Sequence, residues 1–252
     1  MDRLETLARD LLPDQYLPPF LYAFAGGKLI RPRILRLVCD RLGQDPVPLE
    51  KAALAIEVLH CATLLHDDVV DGDGSRRGKP TFHARFSPKQ AILSGDYFAL
   101  TALDLVQRHY PTLTTAFLAA VRDVAVGQLM EFAPLPDLRS YLDYADKKTA
   151  SLFALAAAVP CAVFQTDLGW IAWARDLGVA FQMANDLQGS PRESHSVLAV
   201  LSRSEAERDL AARRAQLQQK VENNDQEFIA DILTPRPDSQ GTAGRPAAGR
   251  PS

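Results

Sequence analysis

Residues Glu57 to Thr81 read EVLHCATLLHDDVVDGDGSRRGKPT, and they indicate the class of fold. Apolar residues recur at three- and four-residue spacing as far as Asp71, which predicts a helix, and the glycines that follow end it. The same spacing continues through most of the chain, and no segment alternates polar and apolar residues as strands do. The sequence therefore predicts an all-α fold, a single-domain helical bundle.

Proline and glycine divide the chain into helices of ordinary or long length. The clearest predicted helices cover residues 50–71, 88–109, 112–132, 138–159 and 167–188. Each can span a bundle, since twenty helical residues reach roughly 30 Å. We expect one helical domain over residues 1–233 and a disordered tail over 234–252. The tail is rich in Pro, Gly and Ser and has almost no apolar residue to offset the entropy of ordering.

The composition argues against several classes of protein. The 252 residues include 28 basic and 31 acidic side chains, a net charge of -3, so no global basic field favours nucleic acid or an anionic membrane surface. Cys39, Cys61 and Cys161 are odd in number and lack C-x-x-C spacing, which argues against a disulfide framework or a structural zinc site. We expect buried free thiols in a reducing compartment.

The sequence also gives little indication of a membrane span. Its start, MDRLETLARDLL, is charged and amphipathic where a secretion signal would be apolar. The longest apolar run, Leu152 to Phe164, is too short to cross a bilayer and contains Pro160. We therefore expect a cytoplasmic protein without a membrane span.

A cluster of carboxylates ends the apolar helix of the opening stretch. Asp67 and Asp71 lie four residues apart and share one helix face, with Asp68 beside them. Their like charges repel, and a hard cation such as Mg²⁺ would remove that repulsion. Arg76 and Arg77 then offer planar donors that fit diphosphate oxygens. A solvated helix end followed by a charged turn is the alternative that these residues alone leave open.

Five motifs together resemble the trans-type polyprenyl synthetase family. HDDVVDGDGSRRGKPT, from His66 to Thr81, is nearly a full match to the family's HDDxxD and RRGKPT, and GGKLIRP resembles its GGKxxRP. LSGDY, DKKTASLF and FQMANDLQG follow in the family's order, so that the resemblance covers about residues 20–190. It implies a bundle around a deep central cavity in which Mg²⁺ assists the condensation of an allylic diphosphate with isopentenyl diphosphate. It also implies a homodimer, or a heterodimer with a family member.

The resemblance assigns roles to individual residues. In the family, isopentenyl diphosphate is held at the positions of Lys28, Arg31, His60 and Arg77. Without the resemblance, a solvated basic turn at residues 28–31 and a core histidine at residue 60 would be the simpler interpretations. The positions that resemble Mg²⁺ ligands and contacts of the allylic diphosphate are Asp67, Asp68, Asp71, Arg76, Lys148, Thr149 and Gln182.

The second aspartate-rich motif departs from the family pattern. Where the family has D-D-x-x-D, this chain has Asn185, Asp186, Leu187, Gln188 and Gly189, so one carboxylate of three remains. Asn185 and Asp186 are the positions that resemble ligands of a further Mg²⁺, and Asn185 offers an oxygen but brings no charge. Where the family usually shows K-P-x-G-x-D and a long closing helical region, this chain runs GSPRESHSVLAVLSRSEAERDLAARR and stops early. Two functions stay open: an active prenyltransferase, with an altered acceptor or cyclising outcome as a variant, or a regulatory or binding subunit beside a complete partner.

Product length is set in the family by side-chain size beneath the allylic pocket, just before the first aspartate motif. Ala62 and Thr63 occupy those positions here, and both are small. The resemblance therefore implies products longer than C15, at C20 or beyond, with Tyr97 and Phe98 as candidates for a lower floor. The alternative is that the two small residues only let helices approach closely.

Overall fold

The computed structural model describes residues 2–76, 78–188 and 195–234. The α-helices are α1 (Asp2–Leu11), α2 (Leu17–Phe24), α3 (Ile30–Arg41), α4 (Glu50–Asp71), α5 (Phe82–Arg85), α6 (Pro88–His109), α7 (Thr114–Leu129), α8 (Leu138–Ala145), α9 (Ser151–Phe164), α10 (Gly169–Asp186), α11 (Arg203–Gln219) and α12 (Asn223–Leu233). A π-helical segment, Asp146–Ala150, joins α8 to α9, and 3₁₀ turns occupy Val47–Leu49, Pro111–Leu113, Met130–Phe132 and Val197–Ala199. Strands β1 (Ser75–Arg76) and β2 (Lys79–Pro80) form a short antiparallel pair.

The architecture confirms the all-α, single-domain prediction. Helices α4 and α6 have the predicted bounds of 50–71 and 88–109. The predicted helix over 138–159 differs, because the π-helical segment interrupts it and α9 continues through Pro160 to Phe164. Proline inside a helix costs about 3 kcal/mol, and the extensive burial of apolar side chains along α9 offsets that cost.

Helix α4 lies at the centre of the bundle and carries the first aspartate motif. Every residue from Ala52 to Leu59 is buried, as expected for a helix that is apolar on all sides. Helix α6 packs closely along it at Gly95, where a Cβ atom would lie 2.2 Å from Nε2 of His66. A side chain at residue 95 would therefore displace the His66 ring from its place against α6.

The end of α4 is fixed by a glycine. Gly72 adopts a left-handed conformation, with φ of 69°, and its N–H donates to the carbonyl of Asp68. Glycine is favoured there because it has no Cβ to clash. The helix stops directly after Asp71, so Asp67 and Asp71 both lie in its last turn. The β1–β2 hairpin follows at once and returns the chain toward α4.

Helix α12 is fastened to α3 by ion pairs. Arg33 Nη1 lies 2.8 Å from Asp231 Oδ2, and Arg41 pairs with both Glu222 and Asp225. Helix α12 thus stabilises α3, and Arg31 lies in the first turn of α3. The tail predicted over 234–252 falls, apart from Thr234, outside the described residues, and so does the segment 189–194.

Two helical stretches among the described residues, Pro111–Phe132 and Leu138–Phe164, would be long and apolar enough to cross a membrane by length and composition alone. The second is 67% buried inside the fold, and core helices of soluble proteins meet the same criterion. The first is 28% buried and leaves apolar side chains on the surface. These stretches are therefore only a weak indication of a membrane span.

Candidate active site

Three carboxylates from two elements converge at the end of α4. Asp67 and Asp71 lie in its last turn, and Glu131 comes from the 3₁₀ turn that follows α7. One oxygen from each carboxylate lies within 4.8 Å of the other two, and all three residues are half-buried. Burial, and next the charge of Asp67, raise the pKa of Asp71 to about 6. Clustered oxygen donors that repel one another are a set that fits a hard divalent cation such as Mg²⁺.

Lys148 places a positive charge beside these carboxylates. Its Nζ donates to Glu131 Oε1 at 2.5 Å and lies 3.4 Å from Asp67 Oδ1. Burial alone would lower the pKa of Lys148, but the charges of Asp67 and Glu131 outweigh burial, and the pKa is raised. Lys148 is therefore charged at neutral pH. Gln128 Nε2 also donates to Asp67 Oδ1, at 2.9 Å, and the Tyr144 hydroxyl donates to Glu131 Oε1, at 2.7 Å.

The π-helical segment places Lys148 and holds it against two neighbouring helices. A Cβ at Gly127 of α7 would lie 2.4 Å from the backbone nitrogen of Lys148. A Cβ at Gly178 of α10 would lie 2.5 Å from Cα of Ala150. Only glycine permits approaches this close, so the segment lies between two glycines from separate helices. π-Helical turns inside α-helices frequently mark functional sites.

The polar side chains of α10 form a hydrogen-bonded row next to this segment. Thr149 Oγ1 donates to Gln182 Oε1 at 2.6 Å, and Gln182 Nε2 donates to Asp186 Oδ1 at 2.8 Å. Asp186 Oδ2 accepts from the Tyr141 hydroxyl at 2.7 Å and from the backbone N–H of Val197 at 3.0 Å. The sequence-predicted residues 149, 182 and 186 therefore meet, and Asp186 has protein donors on both oxygens.

The remaining residues of the second motif are placed differently. Asn185 is exposed at the end of α10, whereas Asp186 is buried. Gly189 lies outside the described residues. In the described part of this motif, the exposed side-chain oxygen therefore belongs to a neutral amide.

Asp68 and Arg76 pair with each other. Asp68 is buried and accepts from Arg76 Nε at 2.5 Å, while Arg76 Nη2 lies 3.7 Å from Asp73 Oδ2. The carboxylate of Asp68 thus anchors the hairpin arginine to α4 and is separate from the three-carboxylate group. Desolvation raises the pKa of Asp68, although Arg76 partly opposes the shift.

Two of the predicted basic residues lie at the start of α3. Lys28 is half-buried just before that helix, and Arg31 is buried in its first turn with its guanidinium 5.4 Å from the Phe153 ring centroid. His60 is half-buried on α4, seven residues before Asp67 and therefore on the same face. Arg77 lies outside the described residues.

The sequence analysis missed four residues that the structure brings to this site. They are Gln128, Glu131, Tyr141 and Tyr144. A signal was present for two of them, because GQLME follows the apolar run VAV and places a polar pair three residues apart. The tyrosines carry no comparable signal, since tyrosine in an amphipathic helix is ordinary core material.

Comparisons with known proteins bear on the family and the fold of this chain. The family model described as polyprenyl synthetase matches residues 14–196. A protein of Sulfolobus acidocaldarius named geranylgeranyl diphosphate synthase is 34% identical over 71% of this chain and 59% of its own length. The chain thus spans between half and two thirds of the length of the first curated relatives that it matches.

Solved structures show the same fold. An isoprenoid synthase family member from Thermotoga neapolitana has a TM-score of 0.80 at 24% identity, covering 92% of this chain and 94% of that one. A polyprenyl synthase from Caulobacter crescentus, complexed with calcium and isoprenyl diphosphate, has a TM-score of 0.63 at 26% identity, covering 92% and 83%.

Proposed function

Since this chain belongs to the polyprenyl synthetase family, we propose that it condenses an allylic diphosphate with isopentenyl diphosphate to give a polyprenyl diphosphate of C20 or longer. One observation carries the proposal: Asp67 and Asp71 meet the charged Lys148 at the junction of α4, α7 and the π-helical segment. Diphosphate chemistry needs both oxygen ligands for a cation and a direct positive charge. The name of the Sulfolobus relative supports this product class.

The proposed cofactor is Mg²⁺, held mainly by Asp67 and Asp71. When bound, Mg²⁺ would stabilise the negative charge that develops on the leaving diphosphate. Asn185 contributes a neutral oxygen from α10, and Asp186 keeps α10 in place through its hydrogen bonds to Tyr141 and Val197. The Caulobacter relative is described as complexed with calcium, which supports the binding of a divalent cation in this chain.

The other side chains act on the two charges that separate as the carbon–oxygen bond breaks. The electron pair leaves with the diphosphate, toward which Lys148 and Arg76 direct positive charge. Thr149, with Lys148, would help to hold the diphosphate and stabilise the developing allylic cation, and Gln182, which accepts from Thr149 at 2.6 Å, would lie near the same diphosphate. The isopentenyl double bond then attacks that cation, and one proton is lost to the departing diphosphate. No side-chain nucleophile takes part.

Isopentenyl diphosphate is proposed to bind at the start of α3. Lys28 and Arg31 lie around the first turn of that helix, where the positive dipole end and backbone N–H groups also favour an anion. His60 and Arg77 complete the proposed set. A cytoplasmic location belongs to the same proposal and is supported by the buried free cysteines at 39, 61 and 161.

A second candidate function is a regulatory or binding subunit. It is favoured by the second motif, in which Asn185 is neutral and Asp186 is buried among protein donors. A chain of this kind would keep the fold and bind diphosphate without turning it over. A complete family member would then supply the catalytic subunit.

A product assay tests both candidates. The pure protein is incubated with Mg²⁺, isopentenyl diphosphate and dimethylallyl, geranyl or farnesyl diphosphate, and the products are identified by mass spectrometry. Products of C20 or longer support the first candidate. Diphosphate binding without turnover, and activity gained with a co-expressed family member, support the second. A chain with neither binding nor turnover contradicts both.

Replacement of Thr63 by Phe is expected to shorten the products. Thr63 is half-buried one turn before Asp67 and shares its helix face, so a ring there would obstruct a growing tail below the diphosphate. Ala62 lies instead on the side of His66, which packs against α6. Product analysis should show chains of C15 or shorter for Thr63→Phe. Ala62→Phe adds the same ring on the side of α6 and is the control for the effect of crowding the core. A product spectrum of Thr63→Phe that matches wild type would contradict the expectation.

A dimer through α6 and α7 is also proposed, because these helices expose large apolar side chains. Leu93 and Leu100 on α6 are 68% and 66% exposed, and Phe132 after α7 is 76% exposed. Leu100→Glu should raise the dimer dissociation constant about a hundredfold, since two copies of a buried leucine contribute about 3 kcal/mol or more. Light scattering across a dilution series measures this. Leu168→Glu, at a 64% exposed leucine outside both helices, is the matched control.

A further inference from the structure

Glu131 approaches the Asp67–Asp71 pair from a different element. It belongs to the 3₁₀ turn Met130–Phe132 after α7, whereas both aspartates end α4. The three carboxylates have oxygens within 4.8 Å of one another. Like charges at that separation repel strongly where water is partly excluded. Lys148 supplies one positive charge to this group, which leaves an excess of negative charge that a divalent cation would balance.

In Glu131 and in Asp67, one oxygen of the carboxylate accepts the hydrogen bonds from the described residues. Glu131 Oε1 accepts from Lys148 and from Tyr144, and Asp67 Oδ1 accepts from Gln128 and from Lys148. Among the described residues, none of these hydrogen bonds reaches Glu131 Oε2 or Asp67 Oδ2. The protein thus fixes the orientation of both carboxylates through one oxygen and leaves the other for a ligand, as outer hydrogen bonds do for metal-bound carboxylates.

Helix α10 does not offer an equivalent carboxylate in its described second motif, residues 185–188. Asp186 directs one oxygen to Gln182 and the other to Tyr141 and the N–H of Val197. Asn185 is exposed but neutral. A divalent cation with only Asp67 and Asp71 as charged ligands would be weakly held, because affinity rises with the number of charged ligands.

We propose that Glu131 is a direct ligand of the divalent cation held by Asp67 and Asp71, so that α7 supplies the third carboxylate of the site in this chain. The inference rests on the proposed function, which requires that cation. Glu131 keeps its contact with Lys148 through Oε1 and offers Oε2 to the metal. The cation site then joins α4 to α7, and α10 contributes neutral oxygen.

Direct Mn²⁺ binding tests the assignment without relying on turnover. Free Mn²⁺ is measured by electron paramagnetic resonance while the full chain is titrated, first with Mn²⁺ alone and then with inorganic pyrophosphate added. Glu131→Gln is expected to weaken binding about tenfold or more under both conditions. Glu131→Asp, which keeps the charge on a shorter side chain, should fall between wild type and Glu131→Gln. Asp123→Asn, which removes a carboxylate two turns earlier on α7, should stay within twofold of wild type.

The variant Lys148→Met shows whether Glu131 binds the cation itself or only holds Lys148 in place. If Glu131 binds the cation, Lys148→Met should bind Mn²⁺ alone at least as tightly as wild type, because a competing positive charge is removed. Wild-type affinity in Glu131→Gln, or an equal loss in Glu131→Gln and Lys148→Met, would overturn the assignment and leave the proposed function standing. Wild-type protein that binds no Mn²⁺ in either condition would instead overturn both.

Discussion

The substitution Asp67→Asn is expected to lower turnover of the allylic diphosphate about a hundredfold to a thousandfold. Asparagine keeps the shape of the side chain but removes a charge from the group formed with Asp71 and Glu131. Cation-dependent diphosphate binding should weaken in parallel, which calorimetry with Mg²⁺ and an allylic diphosphate can measure. The melting temperature should change little, because the lower repulsion among the carboxylates is offset by the loss of the charge pair with Lys148.

Glu207→Gln is the matched control for this change. Glu207 is exposed on α11 and lies 3.9 Å from Arg203, so the variant loses one surface charge pair of small energetic value. Its turnover should match wild type within about twofold. Turnover of Asp67→Asn within tenfold of wild type, or equal diphosphate binding with a chelator present, would remove Asp67 from the proposed cation site.

Gly127→Ala is expected to destabilise the protein by about 1–3 kcal/mol and to lower activity about a hundredfold. The new Cβ would lie 2.4 Å from the Lys148 nitrogen and 2.6 Å from its Cα, both of them backbone atoms that have little freedom to move. Helix α7 must then move away from the π-helical segment, carrying Gln128 and Glu131 with it. Urea unfolding measures the stability change, and steady-state kinetics measures the activity.

Gly74→Ala is the matched control for Gly127→Ala. Nothing lies within 4 Å of a Cβ at Gly74, and its φ lies outside the left-handed range, so the added methyl group meets no obstacle. Its stability should stay within about 0.5 kcal/mol of wild type. If Gly127→Ala unfolds at the same urea concentration as Gly74→Ala, close approach at residue 127 does not hold the segment in place.

Local patterns in the sequence predict much of the fold. The bounds of α4 and α6 follow from apolar spacing closed by Gly72 and opened by Pro88, because these residues act through their own backbone geometry. The meeting of Asp67 and Asp71 on one face follows from helix periodicity alone. Such features depend on residues within one or two turns of each other, which is the range in which sequence spacing fixes geometry.

The rest depends on contacts between distant segments. No local sequence pattern predicts the π-helical turn, which depends on Gly127 and Gly178 in two other helices. Glu131 lies 64 residues from Asp67, and no spacing rule joins them. The pairing of Asp68 with Arg76 likewise depends on how the hairpin folds back on α4. These arrangements are tertiary, and local periodicity does not encode them.

The π-helical segment makes the site depend on chain register as well as on residue identity. Within Asp146–Ala150, Asp146 pairs with Arg175 of α10, Lys148 contacts Glu131 and Thr149 contacts Gln182. Loss of one residue from this turn would restore an ordinary helix and rotate one flank by about 100° relative to the other. Either α8 or α9 would then lose its packing, or Lys148 and Thr149 would leave their partners. Single-residue deletions should therefore be tolerated far less in this turn than in the exposed loop before α8.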